Sequence, residues 1–105
     1  MISAFPVDPY VALEARINGL PVREVDHFMK FVDFDINKCL MTAEPEKAEY
    51  LEKELREQYG DRASIYRSEP YFIEIMPKDV NKAASLDKIL PVLGVKREET
   101  VCCGD

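Results

Sequence analysis

The most constraining stretch of this sequence is the helical pattern that opens at Pro45 and stops at Gly60. Ala48, Leu51, Leu55 and Tyr59 recur at spacings of three and four, which places them on one face. Pro45 falls in the first turn, where a missing N–H costs nothing. Such a stripe must be buried against another layer. The flanking segments supply it. Residues 37–43 (NKCLMTA) are short, apolar and without helical spacing. Residues 62–67 (RASIYR) and 71–76 (YFIEIM) flank the turn Ser68-Glu69-Pro70. They read as one strand and an antiparallel pair. Alternation sets Tyr71, Ile73 and Ile75 against Phe72, Glu74 and Met76, with the first set assigned to the core. The expected fold class is therefore α+β: a β-α-β-β unit with a small, mostly antiparallel sheet and helices on one face.

The segments on either side are less regular. Residues 8–18 (DPYVALEARIN) predict a helix stopped by Gly19, and residues 22–32 predict a second short helix with Val25, Phe28, Met29 and Val32 on one face. Glu52–Arg56 and Glu49–Lys53 stand four apart and mark the solvated face of the central helix. After the breaker Met76-Pro77-Lys78-Asp79-Val80, a helix is expected over 82–93, striped by Leu86, Ile89, Leu90 and Leu93, with Pro91 kinking or shortening it and Gly94 ending it. A buried strand is expected over 100–103. Helix then strand is half of a parallel β-α-β unit, the beginning of a Rossmann-like α/β core. Since ligands bind at the carboxyl ends of such strands, the sequence stops where a site would begin, and truncation is expected.

The net charge of −6 disfavours nucleic acid, and no apolar run reaches the roughly 20 residues that span a bilayer. No basic segment followed by an apolar one opens the chain, so a cytoplasmic protein is expected. Three cysteines, Cys39, Cys102 and Cys103, do not make a disulfide framework, and with His27 the only histidine they do not make a zinc site. They read as reduced, small strand hydrophobes. His27 itself reads as a surface or half-buried side chain.

Glu74-Ile75-Met76-Pro77 with Lys82, then Leu93-Gly94-Val95, then Cys103-Gly104-Asp105 resemble the cap-to-core junction of Cof-type haloacid-dehalogenase-like phosphatases. Asn37-Lys38-Cys39-Leu40-Met41 and Arg67-Ser68-Glu69-Pro70-Tyr71 resemble cap segments of the same family. The resemblance covers about residues 10–105. It implies a cap domain over 1–77 and a partial catalytic segment over 78–105. It also implies a phosphohydrolase for small phosphorylated metabolites that works through a phospho-aspartyl intermediate with magnesium. Lys82 matches the family's phosphate-binding lysine, and Asp105 the first acid of its metal-binding GDxxND motif. Arg67, Ser68 and Tyr71, at the hairpin turn, are candidate specificity residues.

The family's DxDGT nucleophile motif is absent from the sequence. Asp33-Phe34-Asp35 is followed by Ile36-Asn37 rather than Gly-Thr. The 105 residues alone are thus expected to be inactive and to hold no magnesium. The alternative is a free-standing α/β binding module without catalytic activity. Its last helix and strand would then cover a sheet edge or swap into a second copy to form a homodimer.

Overall fold

The computed structural model describes residues 1–103. Its centre is the β-α-β-β unit. Strands β3 (Cys39–Thr42), β4 (Ala63–Glu69) and β5 (Phe72–Pro77) form an antiparallel sheet in the order β3-β5-β4. Between β3 and β4 runs α3 (Pro45–Tyr59), with Pro45 at its start as its sequence requires. Helix α3 lies on one face of the sheet. Ala48 and Ile73 are fully buried and Ile65 nearly so, and Met41, Leu51, Leu55 and Ile75 pack around them.

Pairing of Ile75 with Cys39 and Ile65, and of Ile73 with Met41 and Arg67, fixes which side chains turn towards α3. Alternation then sends Leu40, Tyr66, Glu74 and Met76 to the other face. Ile73 and Ile75 occupy the core as expected. Tyr71 does not: it precedes β5 and stacks on Tyr10, ring centroids 4.5 Å apart and 11° from parallel. Phe72, expected on the solvated side, is only 4% exposed and meets the edge of Tyr71. The register shifts between Arg67 and Glu69, so Ser68 sits in a β-bulge rather than in a simple turn.

Helix α1 (Pro9–Asn18) is closed at both ends. The Asp8 carboxylate accepts from the backbone of Tyr10 and Val11 at 2.8 and 3.0 Å, and Gly19 adopts φ 62° as a left-handed cap. The helix expected over 22–32 is largely replaced. Arg23–Val25 is strand β2, paired in parallel with β1 (Ile2–Ala4), and only the single turn α2 (Phe28–Phe31) is helical. A short helix pays its nucleation entropy for few bonds, and Ile2–Ala4 offers Arg23–Val25 a ladder in its place.

Helix α4 spans Lys82–Leu93. Asn81 caps it through Oδ1, 2.8 Å from the Ala84 amide, and Gly94 ends it at φ 67°. It runs through Pro91 instead of stopping there, since losing one N–H near the last turn leaves the other bonds in place. Of its predicted stripe only Leu90 is buried, while Ile89 and Leu93 are 50% and 66% exposed. The strand expected over 100–103 has no ladder partner among the described residues. Arg97–Glu99 form a 3-10 turn in which the Glu99 carboxylate accepts from the Lys96 amide at 2.8 Å. A strand needs an adjacent strand to satisfy its backbone, and among the described residues none stands beside 100–103. Cys102 and Cys103 are accordingly exposed, against the expectation of buried strand residues, whereas Cys39 is half-buried in β3.

Candidate functional site

Three groups of side chains could carry function. The first is the wall between α3 and the β4–β5 hairpin, an open cleft of about 520 Å³ lined by Glu52, Arg56, Tyr66, Arg67 and Ser68 among others. Arg67 turns towards α3, where its Nε donates to Glu52 at 2.9 Å and a terminal nitrogen lies 3.9 Å from Glu49. Arg56 donates to the Ile65 carbonyl at 2.6 Å and stands 3.5 Å from Glu52. Glu52 is therefore not a solvated bystander. Its side chain is 17% exposed and ties two arginines of different elements together. Glu49 faces Arg67 rather than the expected Lys53. The Arg67 guanidinium is thus held by two carboxylates of its own chain, and Ser68 and Arg67 share this wall while Tyr71 lies outside it.

The second group occupies the sheet face away from α3. Glu74, in the central strand, is opposite Leu40 on β3 and Tyr66 on β4. Its carboxylate lies 3.3 Å from the Lys38 ammonium and accepts from the Tyr66 hydroxyl at 3.2 Å. Burial pushes the Glu74 pKa up, but the neighbouring Ser68 hydroxyl, the Lys38 charge and the Tyr66 hydroxyl outweigh it and leave the pKa below the usual carboxylate value. Burial and the adjacent carboxylate raise the Tyr66 phenol. This face was not singled out from sequence. Its one signal was a glutamate in mid-strand, a residue depleted there, between two isoleucines.

The third is the N-terminus of α4. Lys82 is its first residue, exposed, one position after the Asn81 cap and outside the hairpin cleft. The turn that leads to it holds Asp79 at φ 61°, a left-handed conformation that few non-glycine residues adopt. Asp105 lies outside the described residues. Among those described, no three or more His, Cys, Asp or Glu side chains are grouped so as to hold a metal. His27 lines a separate depression of about 650 Å³ with Arg23, Lys30, Phe5 and Phe31. Arg23 there sits over the Phe31 ring, 4.6 Å from its centroid. Burial raises the Cys39 thiol, so it stays protonated and unreactive near neutrality. No helix among the described residues is long and apolar enough to cross a membrane.

Comparison with known proteins converges on one family. The profile of haloacid dehalogenase-like hydrolases matches residues 8–105. A Streptococcus pyogenes protein named "Putative phosphatase M6_Spy0533" is 30% identical over 71 residues, 68% of this chain and 26% of its own length. The Bacillus subtilis protein named "Putative phosphatase YxeH" is 26% identical over 101 residues, 94% of this chain and 37% of its own. Among solved structures, a haloacid dehalogenase-like hydrolase from Bacteroides thetaiotaomicron superposes with a TM-score of 0.91 at 35% identity, over 99% of this chain and 39% of that one. The chain thus spans between a quarter and two fifths of the length of these relatives.

Proposed function

Because this chain belongs to the haloacid dehalogenase-like hydrolase family, we propose that it supplies part of a phosphohydrolase acting on small phosphorylated metabolites: the substrate-covering cap, residues 1–77, and the first piece of the catalytic segment, residues 78–105. The observation that carries the reading is the N-terminus of α4. There an exposed lysine opens a capped twelve-residue helix directly after the cap sheet. Free amide N–H groups, the helix dipole and an ammonium together suit a phosphoryl group. In this reading Lys82 neutralises charge on the non-bridging oxygens while an aspartate from outside these residues attacks phosphorus; the ester P–O bond breaks, the alcohol leaves with a proton, and water then hydrolyses the aspartyl phosphate to inorganic phosphate. The negative charge is shared with the ammonium through the transition state.

Magnesium would supply further charge neutralisation in the complete enzyme. Asp105 would be one of its ligands; the described residues group no three His, Cys, Asp or Glu side chains around a metal. Asp33 and Asp35 are both exposed between α2 and β3; the nucleophile is assigned elsewhere. The net charge of −6 disfavours a nucleic-acid partner, and the free thiols suit a reducing, cytoplasmic setting.

The test is hydrolysis of p-nitrophenyl phosphate with magnesium. It uses the protein extended through an upstream DxDGT and a downstream GDxxND motif. We expect turnover by the extended protein, none by the 105 residues, and a loss of roughly 10²–10³-fold in kcat/KM for Lys82→Ala. An extended protein without turnover removes the reading. Lys82-dependent turnover by the 105 residues places the nucleophile within them instead.

A further inference from the structure

Strand β4 is an outer edge of its sheet: among the described residues no strand lies beyond it. The register shows which of its backbone groups are left over. The Ala43 amide donates to the Tyr71 carbonyl at 3.1 Å, in step with the β3–β5 pairing. Alternation then turns the backbone of Ile73 and Ile75 to β3, and that of Phe72, Glu74 and Met76 to β4. Ser64 and Tyr66, opposite Met76 and Glu74, therefore bond inward, while Ala63, Ile65 and Arg67 direct their N–H and C=O groups outward. Such an edge is a template for another strand. Here its middle acceptor is taken. The Arg56 guanidinium reaches over from α3 and donates through Nε to the Ile65 carbonyl at 2.6 Å, with Glu52 3.5 Å away to hold it.

We propose that the outer edge of β4 is a pairing surface for a second copy of this chain, kept shut by Arg56. The strand that fits this edge is β4 itself. Its regular part runs from Ala63 to Arg67, where the bulge ends it, and Ile65 is the midpoint. Two copies laid antiparallel about that midpoint bond Ile65 to Ile65 in both directions, as a two-fold dimer requires. The same register sets Ser64 opposite Tyr66 and Ala63 opposite Arg67. The one charge of the segment thus meets a small neutral side chain, and no like charges are opposed. The carbonyl that Arg56 occupies is one of the two acceptors on which this symmetric centre depends. A charged donor bonds it more strongly than the neutral amide that would displace it, so the parent chain stays single.

The experiment combines light scattering with amide hydrogen exchange on the parent and on Arg56→Ala, with Arg56→Met as a second variant that keeps an unbranched apolar stem. The Arg56 side chain is 57% exposed, so its removal opens no cavity in the core. We expect the parent to have the mass of one chain at millimolar concentration and both variants that of two, with self-association at least roughly tenfold tighter. In the parent the amides of Ala63, Ile65 and Arg67 exchange faster than those of Ser64 and Tyr66; in the variants they slow to match. Dispersed amide resonances show that a variant is folded. Folded variants that remain single chains, dimers in which Ala63, Ile65 and Arg67 gain no protection, or a parent protected evenly along 63–67 would each overturn the inference.

Discussion

Glu74 is held ionised by neighbours from two other segments, and this has a consequence for acid stability. Its pKa in the folded protein lies below the ordinary carboxylate value despite the opposing effect of burial. A group shifted in that direction contributes stability above its unfolded pKa, and the contribution disappears as pH falls through the folded one. Glu74→Gln is therefore expected to be less stable than the parent at pH 7. The gap should narrow as pH is lowered below the carboxylate range, because the parent then carries a neutral acid at the same place. Urea unfolding at a series of pH values measures this; a gap that widens on acidification contradicts it. Sequence alone could not single out Glu74. Its partners are Lys38, just before β3, and Tyr66 on β4, and only the pairing register brings them together. Lys82 was singled out by family resemblance; the local signals, a breaker and the start of an apolar stripe, place it only at the opening of a helix, where it stands.

Helix α3 and the three strands beside it were readable because each has a period, a breaker at its end and enough length for both to register. What escaped was shorter or depended on partners. Strands of three residues, such as β1 and β2, are too short for alternation to be distinguished from helical spacing, and their parallel pairing joins residues far apart in sequence. Residues 100–103 had the right composition for a strand, but composition does not supply a neighbour. The side of α3 that carries Glu49 and Glu52 was read as solvated, since spacing along one helix says nothing of what reaches it from a sheet, and Arg67 of β4 reaches it. Glu52 bonds Arg67 as well as Arg56, so removing it leaves two arginines of different elements without their shared acceptor. Glu52→Ala should cost about 1–2 kcal/mol, whereas Lys53→Ala, exposed on the same helix, should stay within about 0.5 kcal/mol. Midpoints of urea unfolding distinguish the two; equal midpoints would mean that the α3–β4 link contributes nothing.

The molecule as a whole joins two layers of unequal strength. The β1-α1-β2 unit meets the central sheet at a few points: the Asp8 carboxylate accepts from the Thr42 hydroxyl, Tyr10 stacks on Tyr71, and the Tyr10 hydroxyl donates to Glu44 at 3.2 Å. The main buried cluster, in contrast, draws on no residue before Met41 or after Ile75. Everything that cluster needs is supplied by one uninterrupted stretch of chain, so loop closure is short and the contacts reinforce each other. That stretch should behave as an autonomous cooperative unit, a foldon in the language of native-state hydrogen exchange. Its central strand β5, flanked by two others, will keep its amide protons longest, while β1, β2 and α4 open independently and exchange at least about tenfold faster. A unit of that kind can close during synthesis as soon as its own stretch of chain has emerged, without waiting for the residues that follow it.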